Sequence, residues 1–292
     1  MKRLLLLATT CVLTLAVRGQ TSTEEAALTM LRADTLARTR LVTRSTLYGL
    51  GYTNVYDTYL SPQEYTGIEG RVAHESLRRV SWFQKRKAAE VPTSRLWVRQ
   101  SWFEGNVGYT HNRADNNNTL SALVHWTYAL MRPWQPAPGL RLLAGPALDI
   151  DGGFVYNMRN GNNPAQARAY LNLGATGMAV YDTRILRRRV SLRYQLTVPL
   201  VGLMFSPHYG QSYYEIFSLG NTGGIVNFTS LHNQPALRQT LMADIPFRRM
   251  KLRVAYVCDI QQSRLHQIET HTYSHVFMLG FVRELYLFPP KR

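Results

Sequence analysis

Two polar stretches of this chain carry serine or histidine, the residue types that nucleophilic catalysis uses. They occupy residues 206–215 and 232–233, each beside an aromatic strand-like run. A serine nucleophile needs a base within hydrogen-bond reach, so one interpretation is a lipid hydrolase embedded in a membrane. The other is a pair of loops whose side chains form local hydrogen bonds. The candidate residues are Ser206, His208, Gln211, Ser212, Glu215, His232 and Asn233.

Other catalytic and metal-binding patterns are missing from the sequence. It contains no GxSxG, phosphate-loop or HExxH motif. His271 and His275 would lie about 13 Å apart along a strand, too far to share a metal ion. We therefore expect no catalytic residue set, no metal and no cofactor, and we favour a protein that is not an enzyme.

A larger polar set alternates with apolar residues along the predicted strands, so one face of each strand is polar. Mixed acids and bases inside a barrel either neutralise one another and fill the lumen, or line a selective pore. Because a barrel of about twelve strands is narrow inside, we predict paired charges and a largely filled lumen. The set comprises Glu69, Arg71, Glu75, His125, Asp149, Asp151, Arg168, Arg193, Asp244, Arg253 and Asp259.

The stretch 190–200 shows this alternation most clearly. Val190 and Leu192 alternate with Ser191 and Arg193, and the pattern continues to the end of the stretch. About twelve such runs are separated by turn signals. The proline-rich residues 133–139 count as a turn, because proline cannot donate to a strand ladder. The predicted runs are 43–56, 65–77, 93–110, 119–131, 140–156, 167–181, 190–205, 213–219, 225–231, 237–247, 252–262 and 272–288.

Strand length favours a membrane barrel over a soluble sandwich. Membrane strands need roughly 9–11 residues, strands of soluble proteins average about 5–6, and many of these runs match the longer class. The 17 Tyr and 5 Trp residues also suit the aromatic girdles of such barrels. We predict an all-β fold, a closed antiparallel transmembrane β-barrel of about twelve strands over residues 41–292. Connections 111–118 and 157–166 are expected outside the cell, and connections 221–224, 248–251 and the basic segment 78–90 inside.

The front of the chain predicts export. Lys2 and Arg3 precede an apolar run over 4–17 that is too short to span a bilayer, and small Gly19 offers a cleavage point. A buried N-terminal element is the alternative. We predict a cleaved signal peptide over 1–20, a periplasmic tail over 21–40, and localisation in the cell outer membrane.

The basic charge of the chain limits the classes of partner that it is expected to bind. The formal charge is +16, and loss of the leader's three basic residues would leave +13. Export argues against a nucleic-acid partner, although such a charge often indicates one. We expect outer-membrane lipid or lipopolysaccharide as a partner, and other envelope proteins as a further class. Arginines that merely line the interior and the periplasmic turns are the alternative. Cys258 alone follows the predicted leader, so no internal disulfide is expected.

Several segments resemble a known family. The segments are 57–67 (DTYLSPQEYTG), 205–221 (FSPHYGQSYYEIFSLGN), 230–235 (SLHNQP) and 271–280 (HTYSHVFMLG). They are similar to a domain-of-unknown-function family of exported, presumed outer-membrane β-barrel proteins of Gram-negative bacteria. The resemblance implies the barrel fold and carries no activity.

Three functions remain open from the sequence. The first is an outer-membrane barrel with a role in envelope structure, envelope assembly or small-solute passage. The second is a barrel-embedded, phospholipase-like lipid hydrolase. The third is a soluble periplasmic β-protein that binds an acidic ligand.

Overall fold

The computed structural model describes residues 41–80, 96–185, 188–247 and 250–286. The predicted leader and tail, residues 81–90 of the basic connection, and Phe288 lie outside these ranges. The chain forms eleven strands and one short helix. The strands are β1 (Leu41–Asp57), β2 (Ser61–Val80), β3 (Trp97–Asn112), β4 (Asn118–Ala137), β5 (Leu140–Asn157), β6 (Ala165–Ile185), β7 (Arg188–Phe205), β8 (Val226–Ser230), β9 (Ala236–Phe247), β10 (Met250–Leu265) and β11 (Ile268–Tyr286), and the helix α1 is Tyr213–Phe217.

Ten of these strands close into one antiparallel barrel. Sequential neighbours pair from β1 to β7, β7 then pairs with β9, and β11 returns to β1. The closing pair is in register along the whole of β1, from Leu41 opposite Tyr286 to Asp57 opposite Thr270. Closure leaves no free sheet edge in the ring, which is what a sheet in lipid requires.

β8 stands outside this ring. It pairs only with the last five residues of β7, from Val201 opposite Ser230 to Phe205 opposite Val226. The prediction of a closed antiparallel barrel is therefore confirmed. The strand count differs, because the barrel has ten strands and one outside strand rather than twelve.

The prediction of a strand over 213–219 is wrong, because this segment contains α1. Ser212 caps the helix: its hydroxyl accepts from Glu215 N, and the Glu215 carboxylate accepts from Ser212 N. This reciprocal capping box satisfies backbone donors that a helix start would leave open. Local capping therefore outweighs the strand preference of Tyr213 and Tyr214. No helix in the described ranges is long and apolar enough to cross a membrane.

The prediction of a turn over 133–139 is also wrong at its start, because β4 continues to Ala137. Pro133 pairs with Leu143 of β5, and the register shifts after Trp134. On the other side, the described pairing of β4 with β3 ends at Met131. Among the described residues, β3 pairs with β4 no further than this, and proline is tolerated at such edge positions because it cannot donate to a strand ladder.

The two rims of the barrel differ in their connections. We call the rim where β1 begins at Leu41 and β11 ends at Tyr286 the chain-end rim. The tight turn after Ala137 and the ends of β2, β6 and β9 lie at this rim. The opposite rim carries the predicted outer connections and also residues 206–235. Connection 221–224, predicted on the inner side, thus lies at the same rim as 111–118 and 157–166, which were predicted on the outer side.

Side chains divide between the two faces of the wall as the alternation predicts. On β7, Arg193, Gln195 and Thr197 are buried inside, while Tyr194 and Leu200 are exposed. The outward face is apolar around the ring. Leu50 is 77% exposed, Ile68 71% and Phe277 68%.

Candidate functional site

All eleven residues of the predicted lumen set lie on inward faces, and the structure sorts them into four groups. In the first group, Arg71 is bound by three carboxylates. Its Nε donates to Glu69 Oε1 at 2.7 Å and its Nη1 to Glu104 Oε1 at 3.1 Å, and Asp259 Oδ2 lies 3.7 Å from Nη1. Arg238 joins them, with Nη2 2.6 Å from Asp259 Oδ2 and 3.1 Å from Glu104 Oε1. Two guanidinium groups and three carboxylates thus form one bridge across the lumen.

The second group is centred on Glu75. Arg193 Nη2 and Arg253 Nη1 both donate to Glu75 Oε2, at 2.8 and 2.5 Å. Gln100 Nε2 donates to the other oxygen at 2.6 Å. Arg253 also holds Asp244 with two parallel bonds of 2.6 and 2.7 Å. This fork is the geometry in which guanidinium and carboxylate bind most strongly.

The third group connects His125 with two aspartates. His125 Nδ1 lies 2.6 Å from Asp151 Oδ1, and its Nε2 lies 2.6 Å from Thr127 Oγ1. Thr127 Oγ1 donates its single proton to Asp149 Oδ1 at 2.6 Å. When both aspartates are ionised, the hydroxyl accepts from Nε2 and Nδ1 donates to the Asp151 carboxylate. This pattern uses a proton on both ring nitrogens, so it fits a charged imidazolium.

The fourth group lies near the opposite rim. Arg168 Nη2 donates to Asp57 Oδ2 at 2.7 Å, and its Nη1 donates to Tyr170 Oη at 3.1 Å. Asp57 also accepts from Tyr59 N, at the turn after β1. The pair therefore ties the wall to this turn.

Sequence reasoning missed five residues of these groups. Trp102, Glu104 and Gln100 alternate along β3, and Trp102 Nε1 donates to Glu104 Oε2 at 2.8 Å. The two-residue period was the signal that could have found them. The acidic, basic and amide residues missed are Asp57, Glu104, Arg238, Gln100 and Gln195, whose Nε2 donates to Gln100 Oε1 at 2.7 Å.

The described groups hold more acids than bases. Eight carboxylates face five arginines and His125. These four groups of described residues therefore do not account for the positive charge of the chain. This finding weighs against the interpretation that the arginines merely line the interior.

Little space remains between the groups. Two cavities beside His125, Arg238 and Asp259 have volumes of about 30 Å³ each, which is room for roughly one water. A wider vestibule of about 380 Å³ opens toward the chain-end rim, below Arg193 and Arg253. The described side chains beside the two small cavities therefore leave room for little more than water there.

The predicted serine and histidine candidates of residues 206–215 lie in a loop at the opposite rim. Ser206 is buried and its Oγ donates to Pro207 O at 3.2 Å, while Ser212 caps α1 with Glu215. Gln211 Oε1 accepts from His208 N, and the His208 ring stacks on His266 with centroids 4.0 Å apart. In the described contacts, neither hydroxyl bonds to a histidine.

The loop is anchored by two tyrosines. Tyr59 Oη donates to Gln211 O at 2.8 Å, and Tyr213 Oη accepts from Ala167 N at 2.6 Å and donates to Gln166 Oε1 at 3.1 Å. Burial raises the pKa of Tyr213 to about 12. Burial also raises the pKa of Tyr59. Both phenols therefore remain protonated donors at neutral pH.

His232 and Asn233 lie elsewhere on the same rim. His232 Nδ1 is 2.5 Å from Ser230 Oγ, and Asn233 Oδ1 accepts from Ser230 N at 2.8 Å. Both residues line an open groove of about 270 Å³ on the outer wall, beside Arg264. In the described contacts, the serine hydroxyl within hydrogen-bond distance of a histidine is thus that of Ser230. Sequence reasoning did not single out this residue.

His271 and His275 have separate partners on the outward face of β11. His271 Nε2 lies 3.2 Å from Asn54 Oδ1, and His275 Nδ1 lies 2.7 Å from Tyr256 Oη. Among the described residues, no group of three His, Cys, Asp or Glu side chains is arranged to hold a metal ion.

Solved outer-membrane proteins are similar to this chain. The transport unit of the autotransporter AIDA-I from Escherichia coli has 10% identity and a TM-score of 0.43, with 90% of this chain and 97% of that chain covered. The outer membrane protease OmpT from Escherichia coli has 8% identity and a TM-score of 0.48, over 84% and 96%. An outer membrane channel from Pseudomonas putida F1 has 11% identity and a TM-score of 0.34, over 84% and 95%. We draw nothing about activity from likenesses this distant.

The family comparison covers nearly the whole chain. No curated protein matches the sequence. A family model described as a protein of unknown function matches residues 4–292, which confirms the resemblance found in the four sequence segments. The chain therefore belongs to DUF3316, a family of proteins of unknown function.

Proposed function

We propose that this chain is an outer-membrane β-barrel with a closed lumen, which acts in envelope structure or assembly and not as a permanently open pore. The observation that carries the proposal is the pairing of buried arginines with carboxylates across the lumen, at Arg71, Arg238 and Arg253. These bridges join strands on different sides of the ring, so a solute would have to break several of them at once.

The outer wall supports a membrane location. Apolar side chains such as Leu50 and Phe277 face outward at high exposure on a closed ring. In water, such an exposed apolar surface would cause the protein to aggregate, whereas the hydrocarbon interior of a bilayer solvates apolar side chains. This argues against the soluble periplasmic alternative.

The rims support an orientation. Outer-membrane barrels have short periplasmic turns and longer extracellular loops. Residues 206–235 and the connection 158–164 lie at the rim opposite the chain ends. We therefore assign the chain-end rim to the periplasm and the opposite rim to the cell exterior.

Two measurements test this function. Membrane fractionation with heat-modifiable migration on a detergent gel tests the outer-membrane barrel. Planar-bilayer recording then tests closure, and we expect no channel events from the wild-type chain over a wide voltage range. Frequent openings at low voltage would overturn the closed lumen, and a chain that is monodisperse without detergent would overturn the membrane barrel.

A lipid hydrolase is the second candidate, and the Ser230–His232 contact is the observation that favours it. Cleavage of a fluorescent phospholipid by the wild-type chain, abolished in Ser230→Ala, would support it. Ser206→Ala and Ser212→Ala serve as controls, because both hydroxyls are engaged in the loop. Absence of cleavage by the wild-type chain would remove this candidate.

A further inference from the structure

The outward face of the chain-end rim carries an arc of arginines. On five strands that neighbour one another in the ring, β11, β1, β2, β3 and β4, one arginine each continues the outward face of the wall. We call this set the arginine arc. Its members are Arg283, Arg44, Arg78, Arg99 and Arg132.

The outward direction follows from the alternation. Arg44 has the same parity as exposed Tyr48, and Arg283 the same parity as exposed Phe281. Arg44, Arg283 and Arg132 are exposed, whereas Arg78 and Arg99 are half-buried. The arc therefore stands directly beyond the apolar band that faces lipid.

Two pairs within the arc place like charges face to face. Arg44 is directly opposite Arg283, and Arg78 is directly opposite Arg99. Directly opposed residues of an antiparallel pair have Cβ atoms about 4.5–5.5 Å apart, and like charges there destabilise the sheet. An anion bound between the two arginines of each pair would offset this repulsion.

The described chain supplies no such anion on this face. The acids near this rim, Asp182, Asp244 and Glu284, line the vestibule, and of the arc only Arg78 also contributes to its wall. In the described ranges, no Asp or Glu faces outward at the chain-end rim. Arg78 Nε is buried without a hydrogen-bond partner among the described residues.

We propose that the arginine arc binds the phosphate groups of anionic phospholipids in the leaflet at the chain-end rim. This rests on the proposed membrane barrel and its orientation. Guanidinium groups bind phosphate through two parallel hydrogen bonds. A row of opposed and diagonal arginines can share successive phosphates, which removes the repulsion within each pair. Part of the chain's positive charge would thus bind the anionic surface of the membrane.

Lipid retention in nanodiscs tests the site. The full chain is reconstituted in phosphatidylcholine with or without phosphatidylglycerol, and native mass spectrometry measures which lipid stays bound. We expect phosphatidylglycerol to be retained preferentially, and the double variant Arg44→Gln/Arg283→Gln to lower that preference on the order of tenfold. The matched control Arg113→Gln/Arg159→Gln removes the same charge at the opposite rim and should retain the preference.

Additional measurements distinguish a failure of the lipid site from a failure of the proposed membrane barrel. Heat-modifiable migration identical to wild type shows that a variant still forms the barrel, and Arg78→Gln/Arg99→Gln repeats the test at the second pair. Equal retention of both lipids by an inserted wild-type chain would overturn the site alone, whereas failure to insert would overturn the proposed function. Inorganic phosphate that displaces the lipid fully at low concentration would also overturn it, by indicating a general anion site.

Discussion

Arg253 Nη1 and Glu75 Oε2 are 2.5 Å apart, although 178 residues separate them in the chain. Arg253 lies on β10 and Glu75 on β2, and both are almost fully buried. The contact thus crosses the lumen between strands that are not neighbours in the ring. It makes Glu75 the shared counter-ion of two arginines.

Removal of that counter-ion should be costly. We expect Glu75→Ala to destabilise the barrel by about 3–5 kcal/mol, because Arg193 and Arg253 would remain buried without their carboxylate. The temperature at which migration on a detergent gel changes would measure the loss. Lys251→Ala is the matched control: it breaks the exposed Lys251–Glu284 pair at 2.6 Å, for which about 1 kcal/mol or less is expected. Equal effects of the two changes would contradict the central role of Glu75.

Removal of arginines from the first group should open a selective pore. In Arg71→Ala/Arg238→Ala, the carboxylates of Glu69, Glu104 and Asp259 remain without their cations. We expect small channels that favour cations, since rings of carboxylates select for them. Reversal potentials in a planar bilayer under a salt gradient would measure the selectivity.

The reverse variant provides the control for that selectivity. Glu104→Ala/Asp259→Ala removes the same number of charged side chains but leaves Arg71 and Arg238. Its channels should favour anions. The same preference in both variants would show that the lumen charges do not set selectivity.

The cap of α1 should hold the loop 206–225 in place at the rim opposite the chain ends. Ser212→Ala removes the hydroxyl that accepts from Glu215 N, and we expect a local loss of about 0.5–2 kcal/mol. Hydrogen exchange should become faster over residues 213–219 while the strands remain protected. Ser218→Ala at the other end of the helix is the control, because its backbone N–H makes the bond to Tyr214 O. Unchanged exchange in Ser212→Ala would argue against the cap.

The raised pKa of Tyr213 predicts a pH dependence at high pH. Its phenol ionises near 10 when the loop is open and at about 12 when it is packed. The contribution of Tyr213 is therefore constant below pH 10 and decreases as pH rises from 10 toward 12. Tyr213→Phe cannot ionise, so the thermal midpoint of the wild-type chain should fall relative to this variant over that range. Parallel midpoints up to pH 12 would contradict the assignment.

The alternation of polar and apolar residues was enough to predict the barrel and the direction of most side chains. Arg193 and Tyr194 face opposite sides because successive residues on a strand always do. The period could not reveal the strand count, since a short aromatic segment such as 213–219 satisfies it equally well. The capping pair Ser212 and Glu215 was a local signal for the helix.

The sequence alone could not predict which side chains contact one another across the lumen. Periodicity places Glu75, Arg193 and Arg253 on inward faces, but it contains no information on which strands meet across the ring. That depends on the ten-strand closure and on the register of each pair, which together set the height of every side chain in the lumen. The opposed arginines of the rim, Arg44 and Arg283, follow from the same closure. The sequence by itself therefore determined which residues face inward, and only the tertiary structure decided which of them touch, because contact across a barrel is set by closure and stagger.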